Sequence, residues 1–319
     1  MNRRPVLVST GFEDPTADVV IAELNRRRVP VLRFDPGRDF PGLAALSARI
    51  GHDGWSGRLT VGERSADLAH VRALYHRRPS SYTPNGDDQA ARFIAQENRR
   101  GLGGVLAALP GCLYLSHPLA IARAEYKPAQ LASATRQGLR VPATLITSDP
   151  AEAKSFASEQ VTIYKPLHAG AYQIEGEPAG IWAAPVAPEE LNNAVSHCAH
   201  LFQALVPKTS DVRAIVVGER VFCARITAPP GVVDWRAEYR NLRYEPIPCP
   251  DEIRRALLLF LADFGLNFGA FDFALSTDET WWFLECNPNG QWAWLEDAAG
   301  LPLTAAVADL LENGESTSD

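Results

Sequence analysis

The first part of the chain alternates between short apolar runs and an amphipathic stretch. Residues 5–10 and 29–34 are apolar runs typical of buried strands. Between them, residues 16–28 place Val20 and Leu24 four positions apart, which is the spacing of one helix face. A strand, a helix and a strand in this order favour a parallel sheet with a crossover helix. We therefore expect the chain to open with such a sheet.

The remainder of the chain mixes the same two periods. Residues 73–75 predict another strand, and residues 87–109 predict a long helix that ends at Pro110-Gly111. Asp251 is the expected N-cap of an amphipathic helix over 251–264. The other predicted elements are, in chain order, a hairpin beginning at 59–61, helix 119–137, strand 141–146, a helix after 148–150, strand 161–165, a meander over 174–186, a helix from 188, strand 201–206, a hairpin of 212–217 with 220–226, and a closing helix over 303–311.

Two aromatic-rich runs in the last quarter of the chain each carry one acid. Residues 269–276 contain Asp272, and residues 281–285 end in Glu285. The polar stretch 276–280 between them predicts a hairpin turn. Because the two strands of a hairpin lie side by side, we expect Asp272 beside Glu285.

The second of these runs continues with a further oxygen-bearing side chain. Side chains in a strand alternate between faces, so Glu285 and Asn287 share a face while Cys286 points into whatever packs beneath. Oxygen ligands on one rigid face suit a hard cation such as Mg²⁺. Ordinary polar residues at a strand end are the alternative. Acids on two adjacent apolar strands favour the cation, because burying an unpaired charge is costly.

Composition narrows the class of protein. With 319 residues, the chain is long enough for two or three lobes around a large core. Its net charge of −7 gives no reason to expect binding to nucleic acid or an anionic membrane. The longest apolar run, 256–262, is too short to span a bilayer, and the N-terminus lacks a signal-peptide pattern. The five cysteines form no C-x-x-C pair, which favours a reducing cytoplasm over a disulfide framework or a zinc site.

Two lysines are candidates for binding phosphate. Lys165 ends an apolar strand and precedes a loop of small residues, where a lysine can act as a point charge on phosphate. Lys127 lies at the entrance to the expected middle domain. Taken alone, either lysine is more typical of a solvated surface charge. The chain contains neither G-x-x-x-x-G-K-[ST] nor G-x-G-x-x-G, so neither common nucleotide motif accounts for such binding.

These features occur in an order that resembles the ATP-grasp superfamily from about residue 119 to 311. The strings 211–218, 284–292 and Asp234-Trp235-Arg236 look closest to the graspetide synthetases, the microviridin-type macrocyclases that are related to ribosomal-protein glutamate ligases. The features are, in chain order, Lys127, Lys165 before its loop, Gln203-Ala204-Leu205-Val206, Asp211-x-Arg213, Asp272 and Glu285-x-Asn287.

The resemblance implies a fold and a division into domains. The implied fold is the ATP-grasp fold, of the α+β class with α/β parts, in which two lobes clasp ATP. Residues 1–118 would form an N-terminal pre-ATP-grasp domain with a parallel sheet. Residues 119–200 would form the central lobe, and residues 201–319 the C-terminal lobe with the Mg²⁺ site.

The resemblance also assigns roles to the candidate residues. Lys127 and Lys165 would hold the α- and β-phosphates, and Gln203 stands where many relatives carry an acid. Arg213 and Arg236 would face the acceptor carboxylate and the transferred phosphoryl group. The remaining roles are the adenine edge for Gln203 and the backbone of Ala204 and Leu205, the ribose for Asp211, a closing loop for 168–171 with His168 and Gly170, and two Mg²⁺ ions for Asp272, Glu285 and Asn287.

The implied activity is an ATP-dependent ligation through an acylphosphate. The implied partner is a ribosomal precursor peptide with leader and core, whose side chains become joined by ester or amide bonds. A homodimer or higher oligomer is expected by the same resemblance. Two alternatives stay open from the sequence: a ligase that adds amino acids to a protein or small-molecule carboxylate, and a catalytically silent module that binds peptide.

Overall fold

The computed structural model describes residues 4–84, 86–168, 172–174, 177–238 and 241–313. It mixes helices with parallel and antiparallel sheets, which confirms the predicted fold class. The N-terminal elements are β1 (Val6–Ser9), α1 (Pro15–Arg26), β2 (Val31–Phe34), α2 (Pro36–Asp39), β3 (Ala44–Gly51), β4 (Gly54–Val61), β5 (Arg64–Asp67), β6 (Ala73–His76), α3 (Gln89–Leu106) and β7 (Leu113–Tyr114).

The opening strands form the expected parallel sheet. Its strand order is β2-β1-β6-β7, and Val6 of β1 is aligned with Val31 on one side and Ala73 on the other. Strands β3, β4 and β5 form a separate antiparallel sheet, which includes the hairpin predicted at 59–61. The parallel sheet matters for the site because the chain leaving β6 runs directly toward it.

The middle of the chain forms a four-stranded antiparallel sheet, in the order β12-β9-β13-β8. Strands β10 and β11 pair with each other. The elements of this part are α4 (Pro118–Ala124), α5 (Lys127–Arg136), β8 (Thr144–Thr147), α6 (Pro150–Glu159), β9 (Thr162–Lys165), β10 (Tyr172–Ile174), β11 (Glu177–Ala179), β12 (Ala184–Val186) and β13 (His200–Ala204).

The C-terminal part forms a five-stranded antiparallel sheet in the order β16-β15-β14-β17-β18. The elements are β14 (Lys208–Val217), β15 (Arg220–Thr227), β16 (Arg243–Ile247), α7 (Asp251–Phe264), β17 (Phe268–Ser276), β18 (Trp281–Asn287), α8 (Ala293–Ala299) and α9 (Leu303–Asn313). Both predicted hairpins, β14–β15 and β17–β18, are present.

Three local predictions were wrong. The helix expected over 119–137 is two helices, because the ring of Pro128 in a continuous helix would clash with the carbonyl group of Ala124. Asp251 is the first helical residue of α7 and not its N-cap, so it acts on the helix dipole instead. The helix expected from 188 is two short 3₁₀ helices, Pro188–Glu190 and Asn193–His197.

The core lies on both faces of the C-terminal sheet. On one face, α7 packs on β17 and β18, with the ring centroids of Phe260 and Phe271 5.2 Å apart. On the other face, Ala270 joins a core that includes α8, α9, α1 and the parallel sheet. Trp292 is fully buried in this second core. The β17–β18 hairpin is therefore held between two hydrophobic layers.

No helix among the described residues is both long and apolar enough to cross a membrane. The division into three domains stays a prediction.

Candidate active site

Two acids face each other across the β17–β18 hairpin, as predicted. Asp272 is paired with Glu285 in the antiparallel register. The register then shifts, since Phe273 pairs with Phe283 and Leu284 bulges out. The neighbouring phenylalanines of β17 enter the core, so Asp272 projects from the opposite face. Both acids are buried, with relative exposures of 5% for Asp272 and 4% for Glu285.

Asn287 lies beside both acids. Its Nδ2 is 3.3 Å from Asp272 Oδ2 and 3.4 Å from Glu285 Oε1, while Cys286 is buried in the core beneath. Within the described ranges, no group of three or more His, Cys, Asp or Glu side chains is placed to hold a metal ion. The donors here are two carboxylates and one amide. Such a set fits Mg²⁺, which commonly takes one or two carboxylates and completes its shell with phosphate and water.

Two cations contact Glu285. Lys127 Nζ donates to Oε2, and Arg236 Nη1 donates to Oε1 at 2.8 Å. Arg236 is itself held by Asp234, at 2.9 Å from Nε to Oδ1 and 3.0 Å from Nη2 to Oδ2. Burial alone would raise the pKa of Glu285, but the charges of Lys127, Arg236 and Lys165 outweigh it, and the pKa lies well below its usual value. Glu285 is therefore ionised at neutral pH.

Arg213 plays the corresponding part for Asp272. Its Nη1 is 2.8 Å from each of the two carboxylate oxygens, and its Nη2 donates to the carbonyl oxygen of Gln291 at 3.0 Å. The pairing follows from register, because Arg213 of β14 lies directly opposite Asp272 of β17. The family resemblance predicted that Arg213 faces the acceptor carboxylate or the transferred phosphoryl group. In the structure its guanidinium contacts Asp272 and fixes this acid in place.

Lys165 is a buried cation at the end of β9. Its Nζ lies 3.4 Å from Gln203 Oε1, and Gln203 Nε2 donates to Thr144 Oγ1 at 2.9 Å. Burial lowers the pKa of Lys165 to about 8, while the charge of Glu285 acts to raise it. Gln203 thus orients Lys165 through its side-chain oxygen. Thr144, which completes this chain of contacts, carries no motif that sequence reasoning could have used.

Asp211 is held by a lysine to which the sequence had assigned no role. Lys208 Nζ donates to both carboxylate oxygens at 2.7 and 2.6 Å, and to the carbonyl oxygen of Val233 at 2.7 Å. Burial raises the pKa of Asp211 to about 6, although Lys208 acts to lower it. A lysine three residues before the acid was the available signal. Because Lys208 contacts both carboxylate oxygens of Asp211, a ligand that donates a hydrogen bond to Asp211 would share this carboxylate with the lysine.

Most of the predicted residues line one cavity between the middle and C-terminal sheets. The amide N–H groups of Ala204 and Leu205 are already donated, each at 2.8 Å, to the carbonyl oxygens of Ala143 and Val161. A base bound there would have to use their carbonyl groups. The predicted residues that line this cavity are Lys165, Gln203, Ala204, Leu205, Asp211, Arg236, Asp272 and Glu285.

The other predicted residues lie around the edge of this cavity or outside the description. Lys127, Asn287 and the exposed His168 line an adjacent cavity. Arg213 lies beneath Asp272. Gly170, with residues 169 and 171 of the predicted closing loop, lies outside the described residues.

A buried glutamine on α5 positions Lys127 at the site. Gln130 Nε2 donates to the carbonyl oxygens of Cys286 at 2.7 Å and Ala124 at 2.5 Å, and its Oε1 accepts from the Cys286 amide at 2.9 Å. Gln130 thus occupies both backbone groups of the residue that follows Glu285. Because Lys127 is the first residue of the same helix, this contact sets its distance from the acid.

We expect Gln130→Ala to lower the free energy of unfolding by roughly 2–4 kcal/mol, since it leaves buried backbone groups of Cys286 without partners. Urea denaturation measures the change. Gln137→Ala, at the C-terminal end of the same helix, is the control and should cost less than about 0.5 kcal/mol. Equal costs for the two variants would show that the contact with Cys286 is unimportant.

The residues after the hairpin attach it to the N-terminal part of the chain. Gln291 Oε1 accepts from Thr16 Oγ1 and from Arg77 Nη2, each at 2.6 Å, and Arg77 also donates to the carbonyl oxygen of Asn289. Trp292 is buried against the parallel sheet. Gln291 and Trp292 therefore have a structural role, which the sequence had left without a physical reason.

Gly290 is required by close packing in this segment. A Cβ atom there would lie 2.5 Å from the Cβ of Ala270 and 2.7 Å from Nη2 of Arg213. Gly290 also closes a turn with Asn287 through a 3.0 Å hydrogen bond. The small residue lets the backbone pass over Arg213 without displacing it from Asp272.

Solved structures with the same architecture decide the assignment. Macrocyclase MdnC from Microcystis aeruginosa MRC, bound with precursor peptide MdnA, is 29% identical, with a TM-score of 0.84 over 98% of this chain and 100% of that one. A RiPP-associated ATP-grasp ligase from Chryseobacterium gregarium, in complex with ADP and a leader and core peptide, is 24% identical, with a TM-score of 0.88 over 98% and 97%. The protein is built as an ATP-grasp ligase.

A third structure agrees with this assignment. ATP-grasp ligase PsnB, complexed with minimal precursor, Mg and ADP, has a TM-score of 0.79 at 23% identity over 98% of both chains. A scan against protein-family models and a search of the curated proteins gave no match. The resemblance to ATP-grasp ligases of the graspetide type and the prediction of an enzyme are confirmed.

Proposed function

We propose that this ATP-grasp ligase activates a side-chain carboxylate of a ribosomally made precursor peptide with ATP and joins it to an amine or hydroxyl of the same peptide. The observation that supports this most is the charge arrangement at the hairpin. Buried acids on β17 and β18 lie within hydrogen-bonding distance of several cations. These residues are Asp272, Glu285, Lys127, Arg213 and Arg236.

The cavity between the middle and C-terminal sheets suits a nucleotide whose phosphates point toward the β17–β18 hairpin. Lys165 and Lys127 would bind the α- and β-phosphates, since these two cations approach the acids from different elements, Lys165 from the end of β9 and Lys127 from the start of α5. The adenine would lie against Gln203 and the carbonyl groups that follow it. Asp211, oriented by Lys208, would accept hydrogen bonds from the ribose hydroxyls.

Mg²⁺ held by Asp272, Glu285 and Asn287 would neutralise phosphate oxygens during transfer. The peptide carboxylate attacks the γ-phosphorus atom, the bond from that atom to the bridging β–γ oxygen breaks, and ADP leaves. Arg236 and Lys127 lie where they can stabilise charge on the transferred group. We propose that this site holds two Mg²⁺ ions.

The second step forms the crosslink. An amine or hydroxyl attacks the acyl carbon of the acylphosphate. The bond between this carbon and the phosphate oxygen breaks, phosphate leaves, and the attacking group releases its proton. Arg213 would act on the acceptor carboxylate through Asp272, because its guanidinium holds that acid and the Gln291 carbonyl oxygen in place beside the site of transfer. Since an acylphosphate hydrolyses in water, the cavity must exclude solvent during this step.

Mass spectrometry tests the proposal. The protein is incubated with ATP, Mg²⁺ and a short candidate precursor peptide that is rich in Thr, Asp, Glu or Lys. Crosslinking removes one water per bond from the peptide, and Asp272→Asn is the inactive control. A gain of amino-acid mass would support the alternative ligase, and an unchanged peptide with no ATP consumption would contradict an enzymatic role.

We also propose that the protein acts in the cytoplasm, where ATP and a newly made precursor meet. Five scattered cysteines without a C-x-x-C pair are typical of a protein in a reducing compartment. A homodimer remains a prediction from the resemblance, and the elution volume on size-exclusion chromatography with light scattering measures it.

Nucleotide binding should weaken as pH rises through about 8, the pKa of Lys165. Below this pH the ammonium group is charged and attracts phosphate, and above it the attraction is lost. We expect the Kd for MgADP, measured by calorimetry, to rise severalfold from pH 7 to pH 9. Lys165→Arg should remove this dependence, since arginine stays charged. An unchanged dependence in that variant would assign it to another group.

A further inference from the structure

The connection between β15 and β16 carries Arg236 into the site. Its residues 228–238, called here the Arg236 segment, form no helix or strand apart from one 3₁₀ turn at Trp235–Ala237. Side-chain contacts therefore hold most of this segment in place. One of them is apolar, since the ring of Trp235 lies 5.6 Å from the ring of Trp294, measured between centroids.

Lys208 contacts the Arg236 segment from the start of β14. Its Nζ donates to the carbonyl oxygen of Val233 at 2.7 Å and to the two carboxylate oxygens of Asp211 at 2.7 and 2.6 Å. An ammonium group has three donors, and each of them has an acceptor here. The Lys208 side chain is only 15% exposed, so water competes weakly for these contacts. Because no donor is left over for phosphate, these contacts are those of a residue that holds other groups in place.

A β-bulge gives Lys208 this orientation. Residues three apart in a regular strand point to opposite faces, so Lys208 and Asp211 would not meet. The pairing of β14 with β17 shifts at this point, because Lys208 lies opposite Ser276 and Ser210 lies opposite Leu275. The one extra residue on β14 turns Lys208 to the face that carries Asp211. The contact with Val233 therefore depends on a local distortion of an otherwise regular strand.

The Val233 carbonyl group leads directly to Arg236. It belongs to the peptide unit that joins Val233 to Asp234, so its position limits where the Asp234 carboxylate can lie. This carboxylate accepts from Arg236 Nε and Nη2 at 2.9 and 3.0 Å, and Arg236 Nη1 donates to Glu285. Asp234 also has a backbone hydrogen bond with Ala183, just before β12. Lys208 supplies the corresponding contact from the C-terminal sheet.

We propose that Lys208 is a positioning residue for phosphoryl transfer. It ties the Arg236 segment to β14 and thereby sets where the guanidinium of Arg236 meets Glu285 and the transferred group. The inference rests on the proposed function and adds to it a residue that touches no reacting atom. The same ammonium group orients Asp211, so one side chain holds both the acid proposed for the ribose and the segment that carries Arg236.

Hydrogen exchange followed by mass spectrometry tests this tie without any reaction. Lys208→Met keeps the apolar stem and removes the donors, so amides of residues 232–238 should exchange at least about threefold faster, while α7 exchanges at an unchanged rate. Lys208→Met/Asp211→Asn is a second variant that leaves no unpaired charge and should behave alike. Thr209→Val is the matched control, because the Thr209 hydroxyl donates to the carbonyl oxygen of Leu275 on β17. It should leave exchange in residues 232–238 unchanged.

Steady-state kinetics test whether the tie acts through Arg236. With ATP, Mg²⁺ and the candidate precursor peptide of the crosslinking assay, Lys208→Met should lower kcat by about tenfold. Lys208→Arg should keep at least about half of kcat, since a guanidinium can donate to both the Asp211 carboxylate and the Val233 carbonyl oxygen. In an Arg236→Lys background, Lys208→Met should cost less than about twofold further, because both substitutions disrupt one chain of contacts.

Equal fold losses of kcat in the two backgrounds would overturn the inference, as would unchanged exchange of residues 232–238 in both Lys208 variants. A higher KM for ATP with kcat unchanged would also overturn it, since Lys208 would then serve the ribose site alone. A loss in Thr209→Val as large as that in Lys208→Met would assign the effect to the bulge. If the unmodified protein neither crosslinks the peptide nor consumes ATP, the proposed function fails, whereas the exchange rates still show whether Lys208 holds the Arg236 segment.

Discussion

Replacing Glu285 with Gln should lower the rate of ATP-dependent crosslinking by at least about a hundredfold. The substitution keeps the shape of the side chain and removes its charge. Glu285 is buried and contacts both Lys127 and Arg236, so its loss leaves two cations without their shared acid. It also removes one of the two carboxylates proposed to hold Mg²⁺, whose charge the transferred phosphoryl group requires.

The rate is measured as ADP release in the presence of precursor peptide, and the Kd for MgADP by calorimetry. Glu245→Gln is a matched control, because Glu245 lies on β16 of the same sheet and is exposed. Circular dichroism establishes that both variants fold. If Glu285→Gln keeps more than about a tenth of the rate while folded, the assignment of Glu285 as a metal ligand is wrong.

Arg213→Lys should reduce crosslinking by about a hundredfold while changing the Kd for MgADP less than about threefold. Lysine keeps the charge but cannot supply paired donors to both oxygens of Asp272 and to the carbonyl oxygen of Gln291. The geometry of the acid and of the acceptor would change, while the lysines that bind phosphate stay in place.

Lysine is preferred to alanine at this position, since alanine would leave Asp272 buried and unpaired at a cost of about 3–5 kcal/mol of stability. The split between kcat and nucleotide Kd is the decisive measurement. A loss confined to MgADP affinity, with kcat unchanged, would show that Arg213 serves nucleotide binding and not the acceptor.

The hairpin of β17 and β18 was predictable because its pattern is local. Asp272 and Glu285 lie in two apolar runs that are separated by a short polar turn. A turn this short joins strands that pair antiparallel. The alternation of side chains in a strand then put Asn287 on the same face as Glu285, and Cys286 in the core. The alternation of side chains along a strand and the length of the turn were therefore enough to predict these positions.

Contacts between distant segments were not predictable in this way. Nothing in the sequence pairs Gln130 with Cys286, or Arg77 with Gln291, since each contact depends on how a helix or sheet packs on another. The partner of Arg213 is Asp272 and not its neighbour Asp211, because register across β14 and β17 decides it. The break before Lys127 was missed although Pro128 signalled it.

Most of the strands and helices, the hairpin with its acids and the family resemblance could be predicted from the sequence, since these depend on local period and on residue types in a fixed order. The packing of distant segments was needed to establish which cation neutralises which acid, why Gly290, Gln291 and Trp292 follow the hairpin, and where the cavity beside Lys127 lies. These depend on distances between segments far apart in the chain, and such distances are set by packing of the whole core.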